Sequence, residues 1–347
     1  MSMIVPLSLH SSQHIPYIDL RTYHETTKQR LVDGLTGVIL SEPYIAGHLP
    51  WRLCCLRVSD DTHQILWGFD HIAFDGMSAE VVRRQFEQGI AGRDDEPIQP
   101  YADYVTLLSK GPVGITEQDI IEYHELRVWK EQNSSIMDSL LHVPNREVTE
   151  LELSIPIALT KIADPWQYSF DLVGALLRSY TGITDVPLAM IHYGRSYQNQ
   201  DFYNSVGEFL DIIPVLLHEG QPAARLQDVM QHCRRHSINF LSLLYHKQLS
   251  GEYVELASLL DASYRSGGQP QALVLYNFQG YASQEEIDAF RNSSSEQEAS
   301  APAQLSISVN YDKEQLRIHL ESPLGLNADV IQAFIRSYLH GQYTLVH

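Results

Sequence analysis

The sequence predicts an α/β protein built as two sandwich lobes. Strand-like apolar runs recur between helix-like amphipathic runs in both halves of the chain, which is the pattern of sheets covered by helices. The length of 347 residues corresponds to two domains at the usual ~100–200 residues per domain. We therefore expect an N-terminal lobe over residues 1–147 and a C-terminal lobe over residues 148–347.

The first lobe is expected to contain a β-hairpin followed by a helix. Residues 51–58 and 64–69 alternate like two strands around a polar turn at residues 59–62, which is typical of a hairpin. Ser78 is a suitable N-cap for the helix that follows. The predicted buried face of this helix consists of apolar residues spaced by four: Val82, Phe86 and Ile90.

A long helix and several further elements are predicted downstream. Thr116 with Asp119 three residues later indicates a helix start, and the helix is expected to run through Trp129 toward Leu141. The remaining predicted strands cover residues 148–155, 186–193, 273–278, 305–311 and 315–320, with helices over 171–180 and after Asn327. Residues 291–304 are rich in Ser, Glu and Ala, which predicts a surface loop.

Composition excludes several classes of function. The net charge of -19, from 24 Lys and Arg against 43 Asp and Glu, and the lack of a long basic run argue against a nucleic-acid partner. No window approaches the ~18 consecutive apolar residues of a membrane span, and the first residues lack the features of a signal peptide. Cys54, Cys55 and Cys233 are expected to be buried thiols rather than a metal pair or a disulfide. These features predict a cytoplasmic location.

The most informative segment for chemistry is His71-x-x-x-Asp75-Gly76, directly after an apolar strand. An imidazole accepts or donates a proton near neutral pH, Asp75 is placed to orient the loop, and Gly76 allows close backbone approach to a substrate. A purely structural His71 is the alternative that this spacing leaves open.

Arg195 is the candidate partner of Asp75. It follows Tyr193-Gly194 at the end of a predicted strand, and arginine forms bidentate carboxylate pairs that persist when partly buried. The alternative is a surface arginine at a strand end. The sequence shows no phosphate-binding glycine loop, zinc-ligand spacing or nucleophile elbow.

Taken together, these motifs resemble the condensation domain of nonribosomal peptide synthetases, in the chloramphenicol acetyltransferase-like superfamily. That family carries His-His-x-x-x-Asp-Gly-x-Ser, which corresponds to residues 70–78 here, with Asp70 in place of the first His. The other matching segments are Tyr101-Ala102-Asp103-Tyr104, Gly194-Arg195, residues 206–214 with Asp211 in place of Asn, and Asn277-Phe278-Gln279. The resemblance extends from about residue 17 to the C-terminus, and the family's first two motifs have no counterpart, so we expect a shortened N-terminal lobe.

The resemblance implies a fold, a reaction and partners. Two chloramphenicol acetyltransferase-like lobes would form a V with a central tunnel, which phosphopantetheine arms of donor and acceptor carrier proteins enter. A carrier-bound acyl or peptidyl thioester would be joined to a carrier-bound amine or hydroxyl, with neighbouring synthetase domains as further partners. His71 would take the amine proton or stabilise the tetrahedral intermediate, and the Gly76 amide would support the oxyanion. Asp75, Arg195 and Asp70 would support the site, and no tightly bound cofactor or metal is implied.

Two alternatives to this function remain open from the sequence. One is a condensation-like docking or recruitment domain with weak or no catalysis, and the other is a free-standing acyltransferase that uses a soluble acceptor. Basic clusters at Arg83-Arg84 and Arg234-Arg235-His236 are candidate contacts for acidic carrier proteins, with a solvated helix face as the alternative for each cluster.

Overall fold

Helices and strands are mixed throughout the described residues, which confirms the predicted α/β class. The computed structural model describes residues 15–41, 51–69, 73–93, 97–156, 164–197, 200–220, 222–244, 253–264, 274–281 and 305–344. Contacts divide the described residues into two compact units: the first takes those of Met1–Tyr101 and Tyr203–Phe209, and the second those of Ala102–Phe202, Leu210–Phe290 and Ala299–His347. The lobe boundary at residue 147 stays a prediction, while residues 102–147 group by contact with the second unit.

The first unit contains a small sheet and two helices. Its elements are β1 (Tyr17–Asp19), α1 (Glu25–Ser41), β2 (Trp51–Arg57), β3 (His63–Phe69) and α2 (Gly76–Ile90). The strand order is β1-β2-β3, with β1 parallel to β2 and β2 antiparallel to β3, so the predicted hairpin is confirmed. Its core is formed by Leu20, Cys54 and Leu56, against which α1 packs partly buried apolar side chains.

Helix α2 differs from its prediction at both its start and its buried face. Asp75, not Ser78, is the N-cap. The buried residues are Ser78 and Val81, whereas Phe86 and Ile90 are 44% and 75% exposed. The predicted stripe is wrong because the hydroxyl of Ser78 bonds to another segment of the same unit and turns that side of the helix inward.

The second unit is larger and is built around one six-stranded sheet. Its helices are α3 (Tyr101–Leu108, whose first residue belongs to the first unit), α4 (Glu117–Tyr123), α5 (Leu126–Leu141), α6 (Pro165–Thr181), α7 (Pro222–His236), α8 (Val254–Tyr264) and α9 (Ala328–Thr344). Its strands are β4 (Val148–Pro156), β5 (Val186–Tyr193), β6 (Ser196–Tyr197), β7 (Gln200–Asp201), β8 (Leu210–Leu217), β9 (Val274–Tyr281), β10 (Leu305–Tyr311) and β11 (Gln315–Leu326). The sheet order is β4-β11-β10-β9-β5-β8, and β6 pairs with β7 in a separate hairpin.

The core of the second unit lies mainly on one face of this sheet. Residues of β10 alternate between buried apolar and half-buried polar positions, as expected for a strand with one core-facing side. Helices α6 and α9 contribute to the core cluster, and Ile331 and Ile335 of α9 are buried in it. Asn327 caps α9, since its Oδ1 accepts a hydrogen bond from Val330 N at 3.1 Å.

The predicted long helix from Thr116 is in fact two helices. The capping box between Thr116 and Asp119 is confirmed, but α4 ends at Tyr123. Glu125 then has a left-handed backbone, with φ of 52°, which an α-helix cannot continue through. Its carboxylate pairs instead with His218 and Arg225, at 3.1 and 3.2 Å.

Three further predictions concern the cysteines, the start of α6 and the loop over residues 291–304. Cys54 and Cys233 are buried free thiols, as predicted, whereas Cys55 is a free thiol that is only half-buried. Helix α6 begins earlier than predicted because Asp164 caps it and Pro165 occupies its first position. The predicted loop over 291–304 lies outside the described residues.

Candidate active site

Two of the predicted site residues, Asp70 and His71, lie outside the described residues. The structure does describe Asp75, Gly76 and Arg195, together with two segments that the motif comparison singled out. The roles of all five residues therefore stay predictions, and the described geometry bears on how three of them are held.

Asp75 is a buried carboxylate at the start of α2. It is 1% exposed, and its Oδ1 accepts a hydrogen bond from Ser78 N at 2.7 Å, which caps the helix. Its Oδ2 accepts from Phe209 N at 3.3 Å, and its own backbone N donates to Gly207 O at 3.2 Å. This aspartate therefore joins the helix start to the segment Tyr203–Phe209 within the first unit.

Ser78 makes a second connection to the same segment. Its hydroxyl donates to Gly207 O at 2.8 Å, and Gly207 N donates to the Ser78 Oγ at 3.0 Å. The sequence comparison identified residues 70–78 and 206–214 as separate motifs, and only the structure shows that they are in contact. Because 129 residues separate Ser78 from Gly207, their spacing carried no signal of this contact.

Tyr101 completes this arrangement. Its hydroxyl donates to Glu208 O at 2.6 Å, and its ring lies edge-on to Phe209 with centroids 5.1 Å apart. A Cβ at Gly207 would lie 2.1 Å from Cδ2 of the tyrosine, so no side chain fits there. The first residue of the predicted Tyr-x-Asp-Tyr motif thus requires the glycine of another motif.

Gly76 is the first residue of α2 and is exposed. The first backbone N–H groups of a helix have no intrahelical acceptor and carry a partial positive charge. At this position the Gly76 N–H can donate a hydrogen bond to an anion.

Arg195 is deeply buried in the second unit. It is 1% exposed, so the alternative of a surface arginine is wrong. Its Nη1 donates to Phe202 O at 3.0 Å, and Phe202 N donates to its carbonyl at 2.7 Å, which fixes it across the β6–β7 hairpin. The predicted pair with Asp75, a residue of the first unit, stays a prediction.

A buried polar cluster lies close to this hairpin in the second unit. Asn239 Nδ2 donates to the hydroxyls of Tyr104 and Tyr197, at 3.3 and 3.4 Å. Burial raises the pKa of Tyr197 far above its ordinary value, so this phenol is neutral. A Cβ on Gly194 would lie 2.3 Å from the Tyr197 hydroxyl, which explains the glycine before Arg195.

Asp211, where the family has asparagine, is a fully buried carboxylate on β8. It accepts hydrogen bonds from Phe240 N at 3.1 Å, Leu241 N at 3.0 Å and Ile212 N at 2.9 Å. Burial raises the pKa of Asp211 to about 6, while these three backbone donors act in the opposite direction. The carboxylate replaces an amide here because it accepts from several donors at once.

The two predicted basic clusters differ in how far their charges are already paired. Arg83 pairs with Glu80 at 2.6 Å and with Glu87, and Arg84 donates to Asn204 Oδ1 at 2.8 Å. The charge of Arg83 is thus locally neutralised. Arg234 and Arg235 are exposed in the last turn of α7, so they are the more accessible pair.

The described part of the chain contains neither a metal-binding cluster nor a membrane-spanning helix. Within those residues, no three His, Cys, Asp or Glu side chains are placed to hold a metal ion together. In the same residues, every helix is too short or too polar to span a bilayer. The predicted cytoplasmic location stays a prediction.

Sequence relatives are peptide synthetases, although no family model matches the chain. Bacitracin synthase 3 of Bacillus licheniformis is 25% identical over 223 residues, which are 57% of this chain and 3% of that protein. A polyketide synthase-nonribosomal peptide synthetase of Aspergillus flavipes is 25% identical over 214 residues, which are 55% of this chain and 5% of that protein. The chain therefore spans only a small fraction of the relatives it matches.

Solved structures with the same fold include condensation and epimerization domains. The condensation domain of Monacolin K polyketide synthase has a TM-score of 0.55 at 14% identity, covering 94% of this chain and 78% of that one. The epimerization domain from the third module of tyrocidine synthetase B has a TM-score of 0.50 at 14% identity, covering 95% and 79%. The chain therefore has the condensation-domain fold of the chloramphenicol acetyltransferase-like type, and the resemblance found in its motifs is confirmed.

Proposed function

We propose that this chain is a condensation domain that joins a carrier-bound acyl or peptidyl thioester to a carrier-bound amine or hydroxyl. The observation that carries the proposal is the contact between Asp75-Gly76-x-Ser78 and Gly207-x-Phe209. Two motifs of the resemblance, remote in sequence, form one hydrogen-bonded unit directly after the position of His71. The condensation-domain fold and the synthetase relatives support the same reaction.

The reaction is an acyl transfer with a tetrahedral intermediate. The amine nitrogen attacks the thioester carbonyl, which forms the C–N bond and places negative charge on the oxygen. The C–S bond then breaks, and the electron pair leaves with the donor thiolate. His71 takes the proton that the amine loses and returns it to the thiolate, so the products are an amide and a free carrier thiol. General acid–base help of this kind is typically worth ~10²–10⁴-fold in rate.

The start of α2 supplies a donor for the developing oxyanion. Gly76 presents its N–H at the positive end of the helix, where a helix carries about +0.5 of an elementary charge. A backbone donor of this kind contributes about 10²–10³-fold in kcat. Its direction depends on Asp75 and Ser78, because these residues fix the first turn to Gly207 and Phe209.

Substrate delivery on phosphopantetheine arms is part of the proposal. The starter condensation domain of rhizomide synthetase has been solved in complex with C8-CoA, and coenzyme A carries the same pantetheine thioester. The partners would be donor and acceptor carrier proteins and the neighbouring synthetase domains. Positioning two tethered substrates can itself remove ~7–11 kcal/mol of the barrier.

The decisive experiment compares wild type with His71→Ala in an assay with loaded donor and acceptor carriers. We expect the variant to lose about 10²-fold or more of product formation. His63→Ala is the matched control, because His63 is an exposed histidine at the start of β3, and it should retain full activity. Equal product from wild type and His71→Ala would contradict the catalytic role of His71. Carrier binding without any product from wild type would support a docking domain instead. Equal turnover with a soluble amine would support a free-standing acyltransferase.

The same assay tests the proposed Asp75–Arg195 brace. Asp75→Ala and Arg195→Ala should each reduce product, and the double variant should lose little more than either single variant if the two groups pair. Independent, additive losses would contradict the pair while leaving the role of His71 intact.

A further inference from the structure

The outer face of the six-stranded sheet changes character along the strand order. At β5 and β8 this face is apolar, and the buried Trp129 of α5 packs against Ala189, Leu216 and Leu275. These residues alternate with those of the main core cluster, so they lie on the opposite side of the sheet. Beyond Leu275, the same face turns polar.

The polar part of this face crosses three neighbouring strands. Ser308 of β10 lies opposite Asn277 of β9 and His319 of β11, and Asn310 lies opposite Arg317. Paired residues of adjacent strands share a face. We call this part of the sheet the polar face, and its side chains are Asn277, Ser306, Ser308, Asn310, Arg317 and His319.

The polar face is largely shielded from solvent. Arg317 is only 7% exposed, and the other five residues are half-buried. On β4, at the margin of the same face, Glu152 and Ser154 are exposed. The shielding from solvent is thus confined to β9, β10 and β11.

Several buried polar atoms on this face have no hydrogen-bond partner in the described structure. Arg317 pairs through Nη2 with Asp312, but its Nη1 has no partner among the described residues. The same holds, within the described part of the chain, for these four buried atoms: Asn277 Oδ1, Ser306 Oγ, Asn310 Oδ1 and His319 Nδ1. A buried polar atom without a partner is destabilising because it has given up its bonds to water. Since native proteins pair the great majority of such atoms, five on one face indicate that the face receives a hydrogen-bonding ligand.

The unpaired atoms define the chemistry of that ligand. The two asparagine oxygens accept, Arg317 Nη1 donates, and the serine hydroxyl and the imidazole nitrogen can do either, depending on their hydrogen positions. An amide offers one donor and one acceptor without charge, whereas a hydrocarbon chain offers neither. We propose that the polar face binds an amide-bearing, peptide-like part of a substrate and disfavours an aliphatic acyl chain. This inference rests on the proposed function for the substrate class.

The proposal is tested by measuring binding of two thioesters to the full chain by calorimetry. One probe is an N-acetyl-dipeptide thioester of N-acetylcysteamine, and the other is the octanoyl thioester of the same thiol. We expect the peptide probe to bind at least tenfold more tightly. Asn277→Leu and Asn310→Leu should each weaken the peptide probe about tenfold, the effect of a lost hydrogen bond to a buried group, and leave the octanoyl probe unchanged.

Thermal unfolding separates ligand recognition from a structural role. Because both asparagine oxygens lack partners in the free chain, replacing them with leucine should leave Tm unchanged or raise it. Thr149→Val, at an exposed position of β4, is the matched control and should alter neither Tm nor binding. A lower Tm in both leucine variants, with wild-type preference for the peptide probe retained, would overturn the proposal in favour of a structural polar cluster.

Other outcomes distinguish this inference from the proposed function. If neither probe binds, or both bind equally, the inference fails. If loaded carriers then still give product, the condensation function stands without it. If the peptide probe binds selectively but no loaded carrier gives product, the polar face stands and the condensation function fails.

Discussion

At the scale of single residues, the identity of residue 207 is decided by a neighbour that the sequence does not reveal. The Tyr101 ring occupies the space where a Cβ would lie, at 2.1 Å, and the Tyr101 hydroxyl is fixed by Glu208 O. The ring cannot move away without losing that bond and the edge contact with Phe209. Glycine is therefore required for packing, not for a special backbone angle.

Gly207→Ala is expected to destabilise the first unit and to reduce condensation activity. Overpacking of a well-packed site typically costs ~1–3 kcal/mol, and here it would also shift the segment that holds Asp75 and Ser78. The free energy of unfolding from urea denaturation is the measurement. Gly34→Ala in α1 is the matched control, because its Cβ would meet nothing within 4 Å and alanine favours a helix by about 1 kcal/mol. Equal stability of the two variants would contradict the packing argument.

The cap of α2 shows a limit of residue-level prediction. Asp75 and Ser78 are both residue types that cap helices, and the pattern alone assigned the cap to Ser78. The structure assigns it to Asp75, since the Ser78 hydroxyl bonds to Gly207. The contact between Ser78 and Gly207, which are distant in sequence, therefore determines which of the two residues caps the helix.

At the scale of elements, a charged network fixes the break between α4 and α5. Glu125 bonds to His218 Nε2 at 3.1 Å, and Asp185 bonds to His218 Nδ1 at 3.1 Å. Arg225 joins through Glu125 and lies over the Tyr123 ring, 4.9 Å from its centroid. The His218 imidazole therefore lies between two carboxylates. It links the end of β8 to the turn before β5 through Asp185 and to the α4–α5 junction through Glu125.

The titration of His218 is expected to report on this junction. The hydrogen bond to Glu125 raises the pKa of His218, and the bond to Asp185 adds to the effect. A raised folded-state pKa means that the stabilisation is fully present below about 6.5, the ordinary value, and is lost as pH rises through the raised pKa. NMR titration should give a His218 pKa above the ordinary value in wild type and a lower one in Glu125→Gln.

Two comparisons test whether the raised pKa of His218 comes from its two carboxylate partners. Asp185→Asn should lower the His218 pKa by less than Glu125→Gln, because Glu125 is the stronger contributor. An unchanged His218 pKa in both variants would contradict the network. The nearby His124 and His232 should behave oppositely, since burial lowers the pKa of both, that of His232 to about 4.

At the scale of the whole molecule, the two units have cores of very different size. The first unit buries Leu20, Cys54 and Leu56 beneath a three-stranded sheet. The core cluster of the second unit includes Phe170, Ile318 and Ile335 and draws on every strand of the six-stranded sheet. Because stability follows buried apolar area, the first unit should open more readily.

Hydrogen exchange measured by mass spectrometry should show this difference. We expect amides of β2 and β3 to exchange through openings of lower free energy than those of β10 and β11. Leu56→Ala should lower the free energy of unfolding by ~2–5 kcal/mol and accelerate exchange mainly in β2 and β3. Ile318→Ala, its counterpart in the second unit, should accelerate exchange mainly in β10 and β11. Exchange that accelerates equally in both units for both variants would indicate a single cooperative unit instead.

Much of the element structure could be predicted from sequence, because local patterns specify it. The strand over residues 186–193 and the alternation over residues 305–311 match the structure. The capping residues Thr116 and Asn327 also match. Each depends on side-chain periodicity or on a cap within a few residues.

What the sequence alone determined is the kind of protein: an α/β chain whose ordered motifs match those of condensation domains. Only the tertiary structure decided that Gly207 bonds to Ser78, that Arg195 is buried, and that Phe86 lies outside the core. It also decided that the polar face is largely shielded from solvent. The physical reason is that a local pattern specifies backbone conformation and the alternation of faces, whereas burial and pairing depend on which distant segment lies against each face.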